Sequence, residues 1–430
     1  MWPCRLCLIK RPRIRCNMNS FLFRIFINDR ILLKNYCSNE LARSIKILGV
    51  ETSCDDTGIA IVDNTGAILG ESLHSQTPTH ISFGGIIPPI AREFHRKNIT
   101  DVCEQALKNA GLKLRDIDAI ATTVKPGMPL SLMIGKNFGK YLSRIGNKPF
   151  IPIHHMEAHA LTARMKEEVN FPYLVLLISG GHCLLALVES VTKFHLLGST
   201  MDDAPGEAFD KVARRLKMHN IFEYRNKNGG AAIEMAAKKA TDPVQFEFPP
   251  TMPHYRDCNF SFSGLKNSAF RQIQKLEIDL NIMADEIIPD INNLCAGFQL
   301  AVAKHIANKT KRAMLFLDNE NLIPNENRTL VVSGGVACNN FIAKVLGIVS
   351  DQQNYRLVRP PPQLCMDNGV MIAWNGMERW KINAGVLRDP REIEEIDHQS
   401  RAPLGDDWTS RIKKAHIQCS IIKTKDIYST

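Results

Sequence analysis

The stretch Ile45-Lys46-Ile47-Leu48-Gly49-Val50-Glu51-Thr52-Ser53-Cys54-Asp55-Asp56-Thr57-Gly58-Ile59-Ala60-Ile61-Val62-Asp63 decides the fold. Two short apolar runs flank a small polar turn, which is the pattern of two buried strands and their connection. A third strand candidate, Ala67 to Ser72, follows. The pattern recurs at Tyr173 to Glu189, with Ser179-Gly180-Gly181-His182 as the turn and Phe194 to Ser199 as the third strand. A second motif follows each copy. Ala119 to Val124 leads through Pro126-Gly127 into a helical pattern at Ser131 to Arg144. Leu330 to Val332 leads through Ser333-Gly334-Gly335 into one at Cys338 to Leu346. Backbone amides at such a glycine loop and helix start form an anion site. The duplication predicts two similar α/β halves holding a nucleotide in the cleft between them.

Further helical patterns lie at Glu93 to Ala110, Pro205 to Leu216, Ala231 to Ala240 and Cys295 to Phe316. The expected organisation is a first domain over 44–168, with 368–405 packing back on it, and a second over 169–367. Residues 406–430 lack clear periodicity and are expected to form a loose tail. The Pro-rich, polar stretch Pro243 to Asp257 reads as a surface loop.

The chain has 430 residues and a net charge of +10. Residues 1–43 hold nine basic and two acidic residues, a net +7, which leaves +3 for residues 44–430. A basic, acid-poor N-terminus with Phe, Ile and Leu between its arginines reads as an organellar transit peptide. Arginines interrupt every apolar core that a secretory signal would need. A basic nucleic-acid-binding arm is the competing reading. No apolar run reaches the length of a membrane span, so no membrane insertion is expected. Cys4 and Cys7 are the only C-x-x-C pair among 12 cysteines, and no second pair at zinc-site spacing follows.

His155 and His159 lie one helical turn apart, so their imidazoles can converge on one metal ion. An isolated H-x-x-x-H is more often an ordinary helix surface. Here the pair follows a strand-like run and sits between glycine loops. Glu51, Asp55 and Asp56 occupy the first turn. Carboxylates there would repel a phosphate, so they are candidates for work through a cation, water or lysine, or for proton transfer.

The ordered motifs resemble the tRNA N6-adenosine threonylcarbamoyltransferase family, its mitochondrial branch in particular, from about residue 45 to 404. Gly49 to Thr57 is close to the family's first phosphate motif. His80 to His95, His155 with His159, Ser179 to His182, Asp202 to Lys211, Asn259 to Lys266, Gly334 to Asn339 and Cys365 to Gly369 match further blocks in order. The resemblance implies the actin/Hsp70/sugar-kinase-like (ASKHA) fold, two RNase H-like domains about a nucleotide cleft. It implies one divalent cation per subunit, Fe or Zn, on His155, His159 and Asp367. It assigns substrate binding to Ile178, Ser179, Gly180, Gly181, His182, Asp210, Gly230, Glu234, Gly334, Gly335 and Asn339, and places Glu51, Asp55 and Asp56 as catalytic candidates. On sequence alone Asp367 and Asn339 read equally well as helix caps.

The implied reaction moves a threonylcarbamoyl group from threonylcarbamoyl-AMP to N6 of adenosine 37 in mitochondrial tRNA, in the matrix, by a homodimer. Candidate tRNA contacts are Arg92, Arg96 and Lys97, with Arg214 and Arg215 as a second set. Three positions depart from the family pattern: Lys125 where glycine is usual, Asn228 in place of proline, and 400–404 without the usual tryptophan. A kinase or ATPase of the same fold would not need the histidine pair. A zinc peptidase would need Glu directly after the first histidine, where Met156 stands. An actin-like binding module would not need a metal triad. The targeting expectation is tested by fusing residues 1–43 to a fluorescent protein; mitochondrial fluorescence is the expected outcome and cytosolic or secretory fluorescence the contrary one.

Overall fold

A computed structural model describes residues 44–83 and 85–428. The segment expected to be a transit peptide lies outside the described residues. The first apolar runs form β1 (Lys46–Glu51), β2 (Asp56–Asp63) and β3 (Ile68–Ser75). Helix α1 (Pro88–Ala110), β4 (Ala119–Lys125), α2 (Pro129–Gly146) and β5 (Phe150–His154) follow. The sheet order is β3-β2-β1-β4-β5, with an antiparallel β1–β2–β3 meander and parallel β4 and β5.

After the short helix α3 (His155–Leu161) the plan repeats. Strands β6 (Tyr173–Ile178), β7 (Cys183–Ser190) and β8 (Lys193–Ser199) form the second meander. Helices α4 (Pro205–Arg215), α5 (Gly229–Ala237), α6 (Ser263–Asp279) and α7 (Ile291–Asn319) precede β9 (Thr329–Ser333), α8 (Asn340–Gln352) and β10 (Arg356–Val358). Strands β9 and β10 run parallel to β6, giving the order β10-β9-β6-β7-β8. Both sheets therefore share one five-strand topology, the doubled RNase H-like plan of the actin, Hsp70 and sugar-kinase fold. Strand β6 is buried along its whole length between helices, as its unbroken apolar run requires.

Helix α9 (Gly369–Lys381) packs back against the first sheet. The approach is so close that a Cβ on Gly49 would lie 2.3 Å from the Ala373 nitrogen, and one on Gly369 would lie 2.5 Å from the Ala60 nitrogen. Glycine on both surfaces is what permits the contact.

The segment 406–428 differs from the expected loose tail. Residues Asp406–Asp407 form β11, which pairs in parallel with β8. Trp408 stacks on His195 with ring centroids 3.8 Å apart. Ile412, Ile417, Ile422 and Ile427 are buried against the second-half core. Their five-residue spacing matches neither helical nor strand periodicity, which is why the sequence pattern concealed them.

Gly369→Ala is expected to destabilise the fold by about 3 kcal/mol through overpacking. Gly347→Ala, whose added Cβ would meet its nearest neighbour at 3.9 Å, should not destabilise it. Denaturant unfolding of both variants checks this. Removal of residues 406–430 should lower the melting temperature and promote aggregation, read by light scattering during a thermal ramp.

Candidate metal centre and adjoining cleft

Strand β5 ends at His154, whose ring accepts from the Met156 amide at 3.2 Å and so caps α3. The capped helix presents His155 and His159 on one face, with ring centroids 4.7 Å apart. Asp367 arrives from the far end of the chain, 208 residues beyond His159. Its Oδ1 lies 3.1 Å from His159 Nε2 and 3.6 Å from His155 Nε2. One donor atom from each residue falls within 4.8 Å of the others. Two imidazole nitrogens and a carboxylate oxygen at this spacing fit a cation such as zinc or iron, with coordination positions left open. Asp367 is not the helix cap: the neighbouring Asn368 caps α9, accepting from the Met371 amide at 2.8 Å.

Glu51, at the end of β1, is wholly buried behind the centre. Its Oε1 accepts from the Ser53 amide at 2.5 Å, and its Oε2 accepts from Thr123 Oγ1 at 2.5 Å. Glu51 Oε2 also lies 3.3 Å from His155 Nδ1. That is the contact of a carboxylate that orients a ligating ring. Burial works against a charge on His155, but Asp367 and Glu51 outweigh it and push its pKa up to about 9. Burial opposes the charge on Asp367 too, yet His155 and His159 hold its carboxyl well below the usual range. Asp56 behaves oppositely: burial, with Asp55 and Asp367 nearby, pushes its carboxyl up to about 7. His95 secures the same loop, its ring 2.7 Å from Thr57 Oγ1 and 2.9 Å from the Cys54 carbonyl.

The second glycine loop is closed by Ser179, whose Oγ accepts from the amides of Gly181 at 3.3 Å and His182 at 3.1 Å. Open space surrounds the Cβ positions of Gly180, Gly181 and Gly335. Gly334 takes φ +98°, and a Cβ there would lie 2.4 Å from the Ile178 carbonyl oxygen. Asn339 caps α8 through Ile342 at 3.0 Å and donates to Gln299 at 3.2 Å, so both ends of its amide are engaged within the protein. Glu234 accepts from the Asn340 amide at 3.0 Å. Asp210, its carboxyl raised by burial, accepts from the Gly229 amide at 2.6 Å. With Asp55 it lines a cavity of about 470 Å³ between the two halves. The structure thus brings His155, His159, Asp367 and Glu51 into one cluster, with His182 beside it at 6.5 Å between ring centroids.

Two of the departures are accommodated locally. Lys125 closes β4 in ordinary extended backbone opposite His154, at a register shift. Asn228 caps α5, accepting from the Ala231 amide at 2.8 Å. One relation that the sequence did not reveal joins two motifs: Asp202 accepts from Ser261 Oγ at 2.5 Å and from the Phe262 amide at 2.8 Å, and Asp203 pairs with Lys266.

Fold and site define an α/β protein of the ASKHA class with a His–His–Asp centre between its two sheet-bearing halves. The profile of the family described as "tRNA N6-adenosine threonylcarbamoyltransferase" matches residues 67–374. The chain belongs to that family. It is 48% identical over 379 residues to "tRNA N6-adenosine threonylcarbamoyltransferase, mitochondrial" of Danio rerio, covering 88% of this chain and 93% of that protein. The Rattus norvegicus protein of the same name is 46% identical over 415 residues, covering 96% and 97%. Among solved structures, HypF of T. kodakarensis aligns over 79% of this chain and 48% of its own, with a TM-score of 0.50 at 12% identity, a likeness of fold alone.

Asp367→Asn should reduce bound cation to about a tenth of the wild-type content, and Glu51→Gln should weaken metal affinity about tenfold while leaving the ligands in place. Plasma emission and a metal-chelator titration check both. Asp56 yields a pH prediction. Between its ordinary 3.8 and about 7, the folded chain holds a proton that the unfolded chain has released. Stability from this group therefore falls as pH rises through that window. Asp56→Asn removes the slope, so its melting temperature should gain on that of the wild type as pH increases.

Proposed function

We propose that this chain transfers the threonylcarbamoyl group from threonylcarbamoyl-AMP to N6 of adenosine 37 in mitochondrial tRNA, releasing AMP. The observation that carries the reading is the convergence of His155, His159 and Asp367 beside glycine loops, in a chain whose relatives bear that activity in their names. An exocyclic adenine amine is a weak nucleophile, so the acyl carbonyl needs polarisation and the leaving AMP needs an anion site. A cation on His155, His159 and Asp367 would supply a Lewis acid for that carbonyl. The open backbone at Gly180, Gly181 and Gly335 admits the phosphate, with Gly334 making the tight turn against the Ile178 carbonyl. Asp210, Gly230 and Glu234 are assigned to the ribose side, and Asp55 to the side of the cavity nearest the first loop. Glu51 Oε2 and Ser53 Oγ, 3.3 and 3.1 Å from His155 Nδ1, hold that ring in place.

A peptidase reading is disfavoured by Glu157. Its carboxylate is tied to Arg379 Nη2 at 2.6 Å, so it is committed to an internal ion pair and is not free to act as a base. The proposed location is the mitochondrial matrix, supported by the basic residues 1–43 and by the names of the relatives. No helix among the described residues is long and apolar enough to cross a membrane.

The test incubates the protein with threonylcarbamoyl-AMP and unmodified mitochondrial tRNA and analyses nucleosides by mass spectrometry. Threonylcarbamoyladenosine should appear with the wild type and fall at least about a hundredfold with His159→Ala. Consumption of threonylcarbamoyl-AMP without modified tRNA would contradict the reading.

A further inference from the structure

The 470 Å³ cavity has a distinctive mouth. Asp55, from the first loop, lines it on the side of the first half. Arg214, Arg225 and Lys227 line it and are solvent-exposed. Most cations around them are already paired. Arg215 and Lys217 are bound to Glu277, Lys211 to Asp203 and Glu207, and Lys239 to Glu223. Arg214, Arg225 and Lys227 have no carboxylate within ion-pair distance among the described residues. The lining therefore carries three cations outside any ion pair among the described residues, with the Asp210 carboxylate close enough to Arg214 to offset part of its charge.

Phe222 stands in the same segment and is 84% exposed, more than any other large apolar side chain among the described residues. The Arg225 guanidinium sits 5.2 Å from the centre of its ring. An exposed ring packs against no core, yet this one is held by a cation beside a cleft. Aromatic faces with adjoining guanidinium groups are stacking platforms for unpaired bases, and free cations beside them take the phosphates.

We propose that Phe222, Arg225, Lys227 and Arg214 form the docking wall for the single-stranded anticodon loop of the substrate tRNA. One loop base stacks on Phe222 while the neighbouring adenosine enters the cavity toward Asp55. The inference rests on the transferase reading and adds the RNA-contacting surface to it. It also separates the two sets of basic residues that the sequence offered. On α1, Arg92 and Arg96 both pair with Glu93, at 2.8 and 2.9 Å, which leaves only Lys97 of that set outside an ion pair among the described residues, and none of the three lines the cavity. Arg215 is held by Glu277, and of that second set only Arg214 faces the cavity.

The test compares the full-length wild type with Phe222→Ala, with Arg225→Glu/Lys227→Glu, and with Arg96→Glu/Lys97→Glu on α1. All these side chains are exposed, so unchanged melting temperatures are expected. Affinity is measured by fluorescence anisotropy over a salt series, with an unmodified anticodon stem–loop and a blunt duplex of the same composition. Phe222→Ala should weaken stem–loop binding about tenfold and leave the duplex unaffected. The cavity-mouth double reversal should weaken it more and flatten the salt slope by about one to two units. The α1 variant should bind as the wild type does. Unchanged affinity and slope in the cavity-mouth variants, or a loss confined to the α1 variant, would overturn the proposal. So would equal weakening of stem–loop and duplex by Phe222→Ala. Modification of tRNA by the wild type, followed in parallel, tests the transferase reading separately. An inactive wild type whose RNA binding still depends on the wall would overturn that reading and not the wall.

Discussion

The packing of α9 onto the first sheet is the contact on which the rest of the site depends. Glycines 49, 58 and 369 remove the side chains that would hold the helix off. The helix N-terminus then reaches the rim of the cleft, and with it Asp367. Asn368 takes the capping role, which leaves the Asp367 carboxylate to the histidines. A backbone-level constraint at the floor of the sheet thus fixes a ligand at its edge. Shifting the helix outward by the width of one methyl group would separate a carboxylate from two imidazoles that now lie 3.1 and 3.6 Å away.

The electrostatics of the cluster follow from that placement. A buried carboxylate, Glu51, and a half-buried one, Asp367, face two imidazoles inside the protein. Such a group is short of positive charge, and either a proton on His155 or a bound cation can supply it. Nearby, Arg379 neutralises Glu157, so α3 presents its histidines without a competing free carboxylate. Arg214, Arg225 and Lys227, outside any ion pair among the described residues, line the cavity instead, where a polyanion would meet them.

The strands were legible because buried strands read as short apolar runs bounded by Gly, Ser and Asp. The run Ala119 to Val124 became Ala119–Lys125, and Leu330 to Val332 became Thr329–Ser333. The histidine pair was legible because four-residue spacing is a local property of a helix. The partnership of Glu51 with His155 was not, since it depends on β1 lying beside β4, with β5 next in the sheet. Asp367 could be assigned to the histidines only by resemblance, because nothing local connects residues 208 apart. The cap reading was correct in kind but belonged one residue later. Helix α6 escaped notice because its buried positions Leu265, Ala269 and Ile273 are diluted by polar neighbours.

The two halves share a topology but finish the same strand differently. In the first, β3 is an outer strand, and α1 lies against it. Asn109 from that helix donates to the Glu71 carbonyl at 2.9 Å, and Gly70 lets Ala106 and Ala110 come close. In the second, the equivalent strand β8 is paired by β11, and the Trp408 amide donates to the Leu196 carbonyl at 2.8 Å. Unpaired strand borders invite other chains to add to them. The repeated unit therefore needed a guard at each outer border. One is carried within the unit and the other is supplied by residues 406–408, far beyond it in the chain. Because β11 follows β8 only after residues 200–405, the second sheet gains its guard late in chain order, and without it β8 is a strand at which one molecule could join another.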